Sequence, residues 1–270
     1  MALGTQLIFG FIAAIIALYY SGRSKVLIDS LDKAIFGSYG CVSAPNIEEL
    51  TLQYFKTRGR AESIRMILQD NNIPYSEVNF NKDEWVEIKK AGIKNGVLTF
   101  GQVPAITTKS GFSLVQSMAI VHYIGRSLGM DCECDDYHLC EVIALGSEDL
   151  RMKLNKVFYD PNFSISSRNS YVTDILPTWL GYFEKLASSF EKESNQSYFI
   201  GDHSTWIDYI MFELIDMNTE FDILEDFPKL KNFYETFLQR PNLQKYLVSP
   251  ARLPYRLPYP PRTVVETKTS

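Results

Sequence analysis

From Leu50 to Asp70 the chain reads LTLQYFKTRGRAESIRMILQD, and two periodicities meet there. Leu50–Phe55 alternates with period two and predicts a strand, whereas Ala61–Leu68 puts Ile64, Ile67 and Leu68 on one face of a helix. A second strand is expected over Tyr75–Phe80, a short irregular helix containing Trp85 over Lys82–Ala91, and a hairpin from Val103–Thr107 and Ser113–Leu114 about Ser110-Gly111. An apolar helical run then opens at Met118. The order is βαβ followed by ββα. From Tyr137 onward the pattern is helical: Leu139–Phe158, Ser170–Glu191, Thr205–Asp216, Lys229–Gln239 and Leu243–Leu247, punctuated by Pro and Gly. An α/β half thus precedes an all-α half. Thr205 and Asp208 have the spacing of a reciprocal capping box, a folding role.

The first 20 residues, MALGTQLIFGFIAAIIALYY, carry no charged side chain, and a helix of about 20 apolar residues spans a bilayer. The segment fits a transmembrane anchor over residues 1–22 or a cleaved signal peptide. It lacks a basic stretch ahead of the apolar run and a small-residue cleavage site after it, which favours the anchor. Arg23 and Lys25 follow the span, so the positive-inside rule leaves the body facing the cytosol; cleavage would instead make the protein secreted. Residues 23–46 read as a juxtamembrane stalk or an interfacial helix, with Val26, Leu27, Leu31, Ala34 and Ile35 at helical spacing. The remaining boundaries are an α/β domain over 47–129, a linker over 130–136, an all-helical domain over 137–252 and an extended Pro-rich tail over 253–270.

With 270 residues, 46% of them hydrophobic, and 17 Phe and 16 Tyr, the chain can bury a large core. A net charge of -5 with interspersed signs and no Lys/Arg run argues against a nucleic-acid partner. Four cysteines do not look like a disulfide framework. Three of them lie with His138 in DCECDDYHLC, as Cys132, Cys134 and Cys140. Structural zinc sites usually split their ligand pairs between two elements, so reduced thiols are the expectation and no metal is assigned. His122 and His203 accompany no hydrolase nucleophile signature, and no phosphate-binding glycine loop is present.

The chemistry-bearing residues gather near strand ends. Tyr54 stands at the strand-to-helix corner, where α/β folds bind ligands. The bond from Val103 to Pro104 is one at which a cis peptide is cheap, exposing the Val103 backbone to pair with a peptide in strand fashion. Gln116-Ser117 precedes a helix, so its amides and the Ser117 hydroxyl suit a carboxylate, although an ordinary N-cap accounts for Ser117 equally.

The segment around Tyr54, then GQVPAI from Gly101, LVQSMAIVHYIGRSLG from Leu114, EDLRMKL from Glu148 and FIGDHSTWIDY from Phe199 occur in one order. Over Ile47 to Pro250 they resemble the soluble glutathione transferases, close to the sigma and pi classes, with an added N-terminal membrane segment. The resemblance implies a thioredoxin-like α/β domain followed by an all-α domain, with glutathione as co-substrate. It implies that Tyr54 activates the thiol and that Arg60 shapes the field and the glutathione site. Trp85 and Lys89 would take the glycyl carboxylate, and Gln102, Val103 and cis Pro104 the cysteinyl backbone. Gln116 and Ser117 would hold the γ-glutamyl group, with Asp149 reaching it from the partner subunit. Phe100 matches the aromatic key of a homodimer. Phe55, Tyr159 and tail residues such as Tyr255 would line an apolar pocket for lipophilic electrophiles.

A free thiol of pKa ~8.5 is only a few per cent thiolate at neutral pH, whereas a tyrosine of pKa ~10 stays protonated and can donate. One hydrogen bond to a charged acceptor, worth roughly 1.5 to 3 kcal/mol, lowers the thiol pKa by about one to two units. The expected function is therefore glutathione transfer. The alternatives are a glutathione-dependent isomerase of the prostaglandin D synthase type and a non-catalytic, crystallin-like carrier of hydrophobic ligands.

Overall fold

The structure is a computed structural model and describes residues 47–133, 136–189 and 198–254. The expected membrane segment Met1–Tyr20, the stalk, Cys134 and Tyr255 with the rest of its tail lie outside the described residues. Among the described residues no helix is long and apolar enough to cross a membrane.

A four-stranded mixed sheet organises the first half, with β1 (Leu50–Phe55), β2 (Tyr75–Phe80), β3 (Ala105–Thr108) and β4 (Ser113–Val115) in the order β2-β1-β3-β4. β1 runs parallel to β2, with Phe55 opposite Phe80, and antiparallel to β3. This is the thioredoxin-like arrangement. Its strand edges explain two shifts from the expected bounds. β3 starts at Ala105 because Pro104 has no N–H to give the ladder. α2 is Trp85–Lys94 because the Asn81 N–H is taken by the Glu84 carboxylate, 2.7 Å away, which makes residues 82–84 a turn.

α1 (Glu62–Asp70) and α3 (Ser117–Ser127) complete this domain, and both pack against α7 (Trp206–Asp216) of the helical domain. α7 is buried from Trp206 to Ile215, a largely apolar helix whose two buried acids, Asp208 and Glu213, each have partners. The joint is close: a Cβ on Gly125 of α3 would lie 2.5 Å from the Trp206 Cβ. Asp131 in the linker accepts from the Trp206 indole N–H and the Cys132 N–H and pairs with Arg126, tying both domains to the connection.

The helical domain comprises α4 (Tyr137–Phe158), α5 (Ile165–Ser170), α6 (Leu176–Ser189), α7, α8 (Pro228–Leu238) and α9 (Pro241–Leu247). The predicted helix from Ser170 begins earlier. Ser164 and Ser167 form a reciprocal capping box that starts α5, and a π-helical turn at Tyr171–Ile175 joins it to α6. Serine-rich SISSRNS has no apolar period to reveal this. At the expected capping box, Asp208 accepts from the N–H groups of Thr205 and Phe199, both at 2.7 Å. Its burial pushes the carboxyl up to about 7 against the pull of those bonds.

The cysteine cluster requires a correction. Cys132 and Cys140 are joined in a disulfide, not reduced, because the linker folds back on the first turn of α4 and brings their Cα atoms to 6.6 Å. Neither sulfur is free to hold zinc.

Candidate glutathione-binding and electrophile sites

Tyr54 lies on the buried face of β1 and is 8% exposed. Its Oη accepts the Arg60 backbone N–H at 3.0 Å, which occupies a lone pair and leaves the hydroxyl proton to donate. Burial holds the phenol above its ordinary pKa, against the Arg60 N–H bond and the charges of Arg60, Arg151 and Arg65. The group is thus a protonated donor at neutral pH.

The loop that presents the Arg60 N–H is held from below. Arg65 of α1 is fully buried and donates through Nη1 to the carbonyls of Thr57 and Arg58, both at 3.1 Å. Its other donors reach Glu77 on β2, and its guanidinium lies 5.9 Å from the Tyr54 ring centroid. Gly59 turns the loop with φ +45°, and a Cβ there would fall 2.5 Å from the Tyr54 Oη. Sequence reasoning missed both residues. The signal for Gly59 was its place inside Arg-Gly-Arg; Arg65 sits on the apolar helix face, where a charge demands a partner.

A cavity of about 690 Å³ opens beside this corner and gathers most of the expected glutathione contacts: Arg60, Trp85, Lys89, Gln102, Val103, Pro104, Gln116 and Ser117. Trp85 stacks on Phe80 at an interplanar angle of 11° and meets Phe55 edge-on. Lys89, one turn along the same face of α2, forms no ion pair with a described residue and is available to a carboxylate. The Val103-Pro104 peptide is cis. Gln116 takes φ +74° and ψ 114°, uncommon for a residue with a Cβ, and Ser117 follows as the first residue of α3.

Arg60 forms a bidentate pair with Glu148 of α4, at 2.7 and 2.5 Å, so the helical domain clamps its side chain at the cavity wall. Glu148 was not singled out from the sequence, although the neighbouring Asp149 was. Asp149 lies outside this cavity, in a depression with Met152, Lys153 and Trp179. Phe100 is 65% exposed, unpacked within its own chain.

A second cavity of about 790 Å³ adjoins the first across Phe55 and Arg60 and includes Tyr54 and Tyr159. Its floor is apolar, from Phe55, Phe80 and Met217, but the expected apolar pocket is also lined by Lys56, Lys82 and Arg151. The ends of β1 and β2 are turn segments rich in polar residues, which is why charge enters here. Arg151 is buried and paired with Glu213 of α7.

A protonated phenol lines the second of two adjoining cavities, which share Phe55 and Arg60. The first is lined by backbone and polar groups suited to a peptide, the second floored by aromatic rings. Residues 50–126 match the family model "Glutathione S-transferase, N-terminal domain", and residues 148–250 match "Glutathione S-transferase, C-terminal domain". The chain belongs to the glutathione S-transferase family. It is 31% identical over 201 residues to a glutathione S-transferase P of Caenorhabditis elegans, spanning 73% of this chain and 91% of the relative. Glutathione S-transferase P 1 of Bufo bufo is 32% identical over 209 residues, spanning 75% and 93%. Among solved structures, the pi-class glutathione S-transferase of Onchocerca volvulus superposes with a TM-score of 0.65 at 29% identity, spanning 74% and 92%. The sigma-class enzyme of Fasciola hepatica gives 0.63 at 28%, spanning 74% and 95%. The family-model matches begin at β1 and leave the N-terminal segment outside.

Within this transferase fold Gly59 is a positioning residue for the phenol. Gly59→Ala should displace the Tyr54 ring and lower kcat/KM for glutathione conjugation at neutral pH about tenfold or more, while the acidic limb of the pH-rate profile moves up toward the pKa of the free thiol. An unchanged profile would show that the phenol is not held by this contact.

Proposed function

We propose that this protein is a homodimeric, membrane-tethered glutathione transferase in which Tyr54 donates a hydrogen bond to the glutathione sulfur and so favours its thiolate. The carrying observation is the Arg60 N–H bond to the Tyr54 Oη, which occupies a lone pair and leaves the hydroxyl proton to donate. Glutathione lies along the first cavity, its cysteinyl backbone pairing with Val103, its glycyl carboxylate at Trp85 and Lys89, and its γ-glutamyl group at Gln116 and Ser117. The sulfur then faces the second cavity, where an electrophile rests on Phe55 beside Tyr159. Ionisation of the sulfur gains at most about thirtyfold, so holding both reactants together supplies the larger share.

A dimer is supported by exposed Phe100 and by Val142, Leu145 and Met152, an exposed apolar stripe at helical spacing on α4. Asp149 falls on that stripe's line, consistent with service in the partner's site. The tether rests on the uncharged run Met1–Tyr20, and the cytosolic orientation on Arg23 and Lys25. The Cys132–Cys140 disulfide favours instead the alternative in which the N-terminal segment is cleaved and the body is secreted into an oxidising compartment.

Tyr54→Phe should move the pKa governing kcat/KM up by about one to two units, toward the ~8.5 of a free thiol, with glutathione affinity little changed. Equal profiles for the two proteins would remove Tyr54 from the mechanism. Phe100→Ser should convert the dimer to monomers in sedimentation; a persisting dimer means that another surface joins the subunits. The full chain should float with liposomes and a chain lacking residues 1–24 should not. Digestion of the body by protease added to intact vesicles marks the cytosolic side, and protection marks the lumenal side.

A further inference from the structure

We propose that the second cavity selects electrophiles that carry an anionic group, a carboxylate foremost, and that Lys56 and Lys82 bind it. This rests on the transferase reading above and narrows its substrate class.

Among the described residues four basic side chains line this cavity and no acidic one does. Two of the four are neutralised from behind: Arg60 by Glu148 and Arg151 by Glu213. Lys56 and Lys82 are not. Neither forms an ion pair with a described residue, and the nearby Glu84 carboxylate accepts the Asn81 N–H without lining the cavity. The two lysines also share a rim. Phe55 and Phe80 are paired in register at the carboxyl ends of parallel β1 and β2, with Lys56 one residue and Lys82 two residues beyond them. Adjacent parallel strands are about 4.8 Å apart, so both ammonium groups can reach one anion.

Lone surface lysines signify little, because water satisfies them. Here they edge a concave surface whose floor is Phe55, Phe80 and Met217, and rings beneath a cationic rim match an amphiphile with a hydrophobic body and an acidic end. In a chain of net charge -5, a cavity lined by one sign of charge attracts anions locally. The reactive end of the ligand would face Tyr54, which lines the same cavity. With an α,β-unsaturated ketone, the thiolate sulfur forms a bond to the β-carbon as the π pair moves onto the ketone oxygen. A proton from water then converts the enolate to the ketone, replacing the one released by the thiol.

The test compares a carboxyphenyl vinyl ketone with its methyl ester on the full-length protein and on the Lys56→Gln/Lys82→Gln variant. The wild type should favour the acid by about fivefold to tenfold in kcat/KM, mostly through KM. That preference should shrink between about 20 mM and about 300 mM salt and vanish in the variant, with ester kinetics retained as evidence of folding. A wild type that converts both probes equally overturns this proposal alone, as does a preference that survives in the variant. A wild type that converts neither probe overturns the transferase reading and this proposal together.

Discussion

Arg65 is the buried charge on which the reactive corner depends. Its guanidinium, excluded from water, is satisfied on three sides: by the carbonyls of Thr57 and Arg58, by Glu77 on β2 and by Glu62 one turn earlier on α1. Glu62 in turn accepts from Tyr246 of α9 and from Arg252, and Arg252 continues to Asp216 at the end of α7. Breaking a buried pair by removing one partner costs about 3 to 5 kcal/mol. Such a network therefore admits one geometry for the loop that it carries. That loop delivers Gly59 and the Arg60 N–H to the Tyr54 hydroxyl.

In the proposed reaction this rigidity matters, because a phenol is an indifferent donor until it is aimed. Tyr54 neither gains nor loses a proton at neutral pH; burial ensures that. The contribution proposed for it is the direction of one O–H bond, constrained by the N–H that occupies its lone pair and by the close approach of Gly59. The Arg60–Glu148 clamp has a related role. It binds the helical domain to the wall shared by both cavities, so the two cavities keep a constant relation.

The same reasoning separates the two cavities. Backbone and amide groups at Val103 and Gln116, with the cation of Lys89, suit an extended peptide bearing charges at its ends. The second cavity combines ring surfaces with two lysines, Lys56 and Lys82, that form no ion pair with a described residue. A disulfide beside the linker adds a covalent restraint near the joint, where Asp131 already ties α3, the linker and α7 together.

Much of this was legible along the chain, since period-two and helical apolar spacing are local properties of backbone geometry. They located the strands, most helices and the α/β-then-α order; the motifs around Pro104 and Gln116-Ser117 marked one cavity, and Tyr54 the one adjoining it. The exceptions share a physical cause. α5 starts from a serine capping box with no apolar period, and Cys132 meets Cys140 only once the linker turns back on α4. Arg65, Glu148 and Arg151 draw their meaning from partners distant in sequence. Local spacing decides which segments become helix or strand, because each depends on near neighbours. Tertiary structure alone decides which charges are neutralised and which are left facing a ligand, because pairing depends on contacts that no local pattern encodes.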